Sequence, residues 1–129
     1  MSRFGLALLL AVFLVPTPGR ADDLPRQLTG DLIRTEHENC RTSTGYGARF
    51  VVARDVDGDG RKDIVLDYAQ ALCGGQPEPY CDASGCLLKL YLGTSGGWRK
   101  AFEGRAKSWA VEDRSGRPTL LLDGRPLAR

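Results

Sequence analysis

The hydrophobic pattern changes its period twice along this chain. Phe4–Val15 has no period at all: it is an unbroken apolar run of twelve, preceded by Arg3 and broken by Pro16, Pro18 and Gly19. Between residues 24 and 42, Leu28, Leu32 and Ile33 recur at helical spacing, with Thr29 or Asp31 available as an N-cap. Gly30 lowers the helical propensity there, which favours a shorter helix over about 29–41. Residues 42–47 are turn-rich, and beyond them the period shortens to two. Arg49–Arg54 and Ile64–Ala69 read as strands on either side of an Asp-rich loop. Residues 73–86 form a Gly/Pro/Cys-rich loop. Leu87–Leu92 then places Leu88, Leu90 and Leu92 on one face and Lys89 and Tyr91 on the other. Gly93–Gly97 is a hairpin connection into Trp98–Phe102, and further strands are predicted over 106–112 and Thr119–Leu122. Strands spaced this closely form an antiparallel meander. The expected fold class is α+β (mainly β): an N-terminal helix packed on an antiparallel sheet of five or six strands, in a single domain.

The first apolar run has the order of an export signal. Gly19-Arg20-Ala21 puts small residues at the −3 and −1 cleavage positions, so residues 1–21 are expected to be a signal peptide and 22–129 the domain. Twelve residues of helix reach only ~18 Å, short of the ~30 Å hydrocarbon core, and no later stretch is apolar enough to span it. The expected location is secreted or periplasmic, with no membrane association after signal cleavage. Cleavage removes Arg3 and Arg20 and no acid, which leaves 16 bases against 16 acids. A balance of this kind excludes nucleic acid as a partner, because phosphate backbones demand a basic excess.

Export also frames the cysteines. Cys40, Cys73, Cys81 and Cys86 are an even count in a small exported domain, which predicts two disulfides; no Cys-x-x-Cys metal knuckle occurs. Loop-closure entropy totals about 6 to 7 kcal/mol for each of the three connectivities and does not choose among them. The tight-turn sequence Asp82-Ala83-Ser84-Gly85 favours Cys81–Cys86, with Cys40–Cys73.

Candidate chemistry concentrates in Asp55-Val56-Asp57-Gly58-Asp59-Gly60-Arg61-Lys62-Asp63. Carboxylates fall at loop positions 1, 3, 5 and 9. Alternate residues of a tightly wound loop point inward, so the first three can converge on one ion. Glycine at position 6 permits the sharp turn that brings the carbonyl of position 7, Arg61, into the shell. Oxygen donors alone, on a flexible loop, suit calcium better than magnesium or zinc. An EF-hand needs a glutamate at position 12 and flanking helices; here position 12 is Leu66 and the flanks are strands.

The pattern Asp-x-Asp-x-Asp-Gly-x-x-Asp before an apolar strand resembles the calcium loop of FG-GAP/VCBS-type repeats, as in integrin α-subunit propeller blades. The resemblance covers about residues 50–68 and implies ligation by Asp55, Asp57, Asp59, the Arg61 carbonyl and Asp63. One such loop in a chain of this length excludes a propeller. The chain also resembles a group of small secreted bacterial proteins of unknown function that share this loop, an Asp-Tyr strand end (Asp67-Tyr68) and a Cys…Cys-x-x-x-Gly-Cys segment. That likeness implies a fold and supplies no activity.

Elsewhere the chemistry is sparse. His37 is the sole histidine, and no zinc-protease, nucleophile-elbow, phosphate-loop or dinucleotide motif occurs. Trp98, Tyr91, Phe102 and Trp109 fall on predicted strands as core or sheet-face residues; exposed together, they would suit a carbohydrate or protein partner. The leading expectation is a secreted calcium-binding, disulfide-stabilised binding or structural module without catalysis. The alternatives are a small secreted hydrolase using carboxylates, Asp67 with Glu78 or Asp82, or with His37, and a secreted enzyme inhibitor presenting the 74–85 loop.

Overall fold

A computed structural model describes residues 24–127; the expected signal peptide, 1–21, lies outside the described residues. One helix, α1 (Arg26–Asn39), precedes ten strands: β1 (Thr44–Tyr46), β2 (Val51–Arg54), β3 (Asp63–Asp67), β4 (Ala71–Cys73), β5 (Cys81–Asp82), β6 (Gly85–Thr94), β7 (Gly97–Ala106), β8 (Trp109–Arg114), β9 (Arg117–Leu122) and β10 (Arg125–Pro126). The fold is mainly β, and every strand pairing is antiparallel.

The helix starts earlier than its sequence suggests. Its N-cap is Pro25, which makes no side-chain cap; the amides of Leu28 and Thr29 bond the Pro25 carbonyl at 2.9 and 3.2 Å. Proline at a helix start loses no hydrogen bond, since the first amides have no intrahelical acceptor. Thr29 and Asp31, the expected caps, therefore lie inside the helix. Leu28, Leu32 and Thr35 form its buried stripe at i, i+4 and i+7. Gly30 faces open space, so its lack of a side chain serves no packing need.

The expected single meander is divided. A five-stranded sheet has the order β2-β3-β6-β5, with β7 on the other side of β6; β8, β9 and β10 form a second sheet, and β1 pairs with β4 in a third. The meander breaks after β7 because Asp123, in the β9–β10 turn, accepts the amides of Lys107 and Ser108 at 2.8 and 3.0 Å. Those amides are thereby satisfied off the ladder, and the chain leaves the central sheet. The strand predicted at Ile64–Ala69 stops at Asp67 for a similar reason: the Asp67 carboxylate caps Ala69 and starts a 3-10 turn, Tyr68–Gln70.

The central sheet is covered on both faces. Ile64 and Leu66 of β3 and Tyr91 of β6 join α1, Phe50, Tyr68 and Tyr80 in one core. Val65, Leu88 and Leu90 join Val56 and Leu120 in the other, under β8–β10. The alternation predicted for Leu87–Leu92 holds, with Lys89 and Tyr91 on the helix side. A register shift at Leu90/Tyr91 lets Ala101 and Phe102 of β7 both pack on the second core.

Lys89 is 1% exposed, and its ammonium is held by Asp31 at 2.9 Å, Thr35 at 2.5 Å and Glu103 at 3.0 Å. Asp31 also accepts from the Tyr91 hydroxyl, Lys100 and Arg34. Burial raises the Asp31 carboxyl, but the Tyr91 and Lys89 hydrogen bonds outweigh it and hold it well below the usual carboxylate range. This network pins the helix to the sheet. Two disulfides, Cys40–Cys73 and Cys81–Cys86, tie the helix end to β4 and β5 to β6. They are the pairs favoured by the turn sequence.

Candidate metal centre

The acidic loop is the connection between β2 and β3, which pair from Val51↔Leu66 to Arg54↔Asp63. Two glycines give it its curvature. Gly58 and Gly60 have φ of 82° and 80°, the left-handed region that a side chain disfavours. Around them the aspartates fold the loop on itself. One Asp55 oxygen accepts the amides of Asp57 at 3.2 Å and Gly58 at 2.8 Å, and the other accepts Gly60 at 2.9 Å. Asp57 accepts the amide of Asp59 at 3.2 Å, and Asp59 that of Arg61 at 2.8 Å.

Asp63 differs from the other three. It is fully buried, and its two oxygens accept the amides of Val56 and Gly93, each at 2.9 Å. It thus joins the loop to the start of β3 and to the neighbouring strand β6. Gly93 is required there, because a Cβ would sit 2.3 Å from the Lys62 carbonyl. The sequence gives no sign of this role, which exists only once β6 lies beside the loop. Arg117 of β9 is the other contributor that sequence reasoning missed. Its guanidinium donates to the Asp57 carbonyl at 3.2 Å and its side chain packs against Gly58.

Asp55, Asp57, Asp59 and Asp63 each offer one carboxylate oxygen, and these oxygens all lie within 4.8 Å of one another. Such crowding shows in the proton affinities of Asp57 and Asp63. Burial pushes Asp63 up, the Val56 and Gly93 amides work against it, and the charges of Asp59 and Asp55 push it further up. Burial also raises Asp57, joined by the neighbouring carboxylates of Asp63 and Asp59. For Asp55 burial raises the carboxyl, but the amides of Gly58, Gly60 and Asp57 win and the net shift is downward. The donor set is all oxygen, acidic and wrapped by a preformed loop, and it can hold a metal ion. Arg61 and Lys62 are exposed, as expected for side chains turned away from the acids.

The residues of the alternative readings are exposed or held by other partners; Asp82 is exposed and pairs with Arg105 at 3.4 Å. One Asp67 oxygen caps Ala69 and the other accepts the Trp109 indole at 3.0 Å, so this carboxylate joins the two sheets. His37 is exposed on α1, and Glu78 is exposed in the 74–79 stretch. The end of that stretch is held by Arg105, which donates to the carbonyls of Tyr80 at 2.7 Å and Pro79 at 3.0 Å. Tyr91 is buried and Trp98, Phe102 and Trp109 are half-buried against the cores, while the exposed large hydrophobics among the described residues are Ile33 and Leu72. The four aromatics therefore do not form an exposed platform. No helix among the described residues is long and apolar enough to cross a membrane.

No protein-family model, no curated protein and no solved structure matches this chain.

Proposed function

We propose that this protein is a secreted, disulfide-stabilised binding or structural module that binds calcium through the β2–β3 loop and carries no catalysis. The observation that carries the reading is the convergence of four carboxylate oxygens within 4.8 Å at Asp-x-Asp-x-Asp-Gly-x-x-Asp spacing. Oxygen donors on a flexible loop suit the variable, high coordination of calcium better than the strict octahedron that magnesium demands. The likeness to the FG-GAP/VCBS calcium loop supports the same ligand set, completed by the Arg61 carbonyl. Secretion is supported by the Phe4–Val15 run and by two disulfides, which persist in oxidising compartments.

The ion acts by coupling metal binding to folding. It neutralises acids that otherwise repel one another, and it fixes the angle between β2 and β3 beneath the sheet interface. Binding to the folded state alone stabilises by about 2.7 kcal/mol when calcium is a hundredfold above its Kd, or roughly ten degrees in Tm for a domain of this size. The test is a thermal melt in EDTA and in millimolar calcium. Asp57→Ala and Asp59→Ala are expected to abolish most of the calcium shift, and Lys62→Ala to preserve it. Identical wild-type melts in both buffers would leave the loop a hairpin without a metal role.

A further inference from the structure

The two disulfides occupy unlike places in the fold. Cys40–Cys73 joins the end of α1 to β4 across 33 positions, and Cys40 is buried. Cys81–Cys86 joins residues that face each other directly across the β5–β6 ladder. Both are half-buried, beside the exposed turn residues Asp82, Ala83 and Ser84. The ladder sets their Cα atoms 4.0 Å apart, closer than the roughly 4.4–6.8 Å that disulfides usually span, whereas Cys40 and Cys73 stand 5.6 Å apart. The hairpin has other ties besides the bond. Asp82 accepts the Ser84 amide at 2.8 Å, which holds the turn. Arg105 of β7 donates to the carbonyls of Pro79 at 3.0 Å, Tyr80 at 2.7 Å and Gly85 at 3.4 Å, and it pairs with the Asp82 carboxylate at 3.4 Å. Tyr80 and Gly85 immediately precede the two cysteines, so one guanidinium grips both sides of the bridge.

We infer that Cys81–Cys86 is a site of reversible thiol–disulfide exchange with an external dithiol, while Cys40–Cys73 is the structural bridge. One thiolate of the dithiol attacks a sulfur of the bridge. The other sulfur leaves as a thiolate beside the Arg105 cation, which favours that charge. The second thiol of the reagent then attacks the mixed disulfide and closes the reagent's own disulfide. Two electrons and two protons thereby pass to the cysteine pair, which ends as two thiols. The ladder selects the class of reagent. It keeps the freed thiol opposite the mixed disulfide, so reclosure expels a monothiol before a second molecule arrives. A dithiol resolves its own adduct, because its second sulfur is already at hand. Exchange at this end of the molecule does not involve the acidic loop and stands apart from the calcium reading.

The test treats the folded protein, in EDTA, with dithiothreitol or with glutathione at equal thiol concentration. Samples are alkylated at intervals, and the modified cysteines are mapped by mass spectrometry. With dithiothreitol, Cys81 and Cys86 are expected to be alkylated together, about tenfold faster than Cys40 and Cys73, while the circular dichroism of the folded protein is retained. Glutathione is expected to leave both bridges closed. Arg105→Gln is expected to slow the opening of Cys81–Cys86 severalfold; an arginine that only held the loop would, on removal, speed it. Opening of Cys40–Cys73 first, or of all four cysteines together with loss of structure, overturns the site. A stable glutathione adduct on Cys81 or Cys86 overturns the dithiol class, and faster opening in Arg105→Gln overturns the role of its charge.

Discussion

The molecule gathers charge in two places, and it treats them in opposite ways. Between α1 and the central sheet, Asp31, Lys89, Glu103 and Lys100 are brought together with alternating sign. Every charge there has an opposite partner, and Thr35 and Tyr91 add hydrogen bonds. In the β2–β3 loop, four carboxylates of one sign converge, and the donors that reach them are mostly backbone amides. Amides orient a carboxylate but carry no net charge, so they cannot cancel its repulsion of the next. The balanced network completes itself from side chains; on the proposed calcium reading the acidic one is completed by an ion, and its share of the stability is then conditional on a solute.

The largest effect is expected where a buried partner is removed. Lys89→Met removes the buried one of the two lysines that Asp31 and Glu103 share and leaves them only the more exposed Lys100, and breaking a buried pair from one side costs about 3–5 kcal/mol. Urea unfolding in EDTA measures this, and the loss is expected to be the same in calcium. A loss below 1 kcal/mol would mean that the network is mere surface decoration.

Next come two substitutions that split the loop itself. Asp63→Ala strands the buried amides of Val56 and Gly93, so it is expected to destabilise by roughly 2–4 kcal/mol even in EDTA. Asp59→Ala, at an exposed position, is expected to change stability in EDTA by less than about 0.5 kcal/mol and to act through the calcium shift instead. Equal losses for the two in EDTA would erase the distinction between a structural and a ligating aspartate.

The pH dependence sharpens the contrast further. The folded-state affinity of Asp31 for a proton is depressed below its ordinary value of 3.8, and that of Glu103 below 4.5. Burial opposes both shifts, and bonds to Tyr91, Lys89 and Lys100 more than offset it. A depressed carboxyl contributes stability above its unfolded pKa and loses it as pH falls through the folded one. Stability is therefore expected to decline as pH drops below about 4, and Asp31→Asn to flatten that limb. Stability measured between pH 2 and 6 decides it; a limb unchanged in Asp31→Asn assigns the acid sensitivity elsewhere.

The smallest effect lies outside both clusters. Gly30 is helical and a Cβ there meets nothing within 4 Å. Gly30→Ala is expected to stabilise by about 0.5–1 kcal/mol and to raise Tm by a few degrees, in EDTA and calcium alike. A drop in Tm would show that the helix next to Asp31 tolerates less than its open surface suggests.

Some features are written locally enough for the sequence to determine them. The alternation of Leu88, Leu90 and Leu92 against Lys89 and Tyr91 fixes which face of β6 is which, because a strand has a side-chain period of two wherever it lies. Asp55, Asp57 and Asp59 bond amides two to five residues away, so their convergence follows from spacing and two glycines, whereas Asp63 is fixed by amides seven and thirty positions away. The short reach between Cys81 and Cys86 has the same local origin. Other features depend on what lies across the fold. Asp31 reads as a helix cap, yet it becomes the anchor of a network whose other members lie 58 and 72 positions away, at Lys89 and Glu103. Asp123 divides the meander by capturing amides at 107 and 108, and no local pattern announces it. Gly93 reads as a hairpin glycine until the Lys62 carbonyl is placed against it. The tertiary structure alone decides such contacts, because hydrogen-bond and ion-pair partners are chosen by distance in space, and packing three layers together sets those distances.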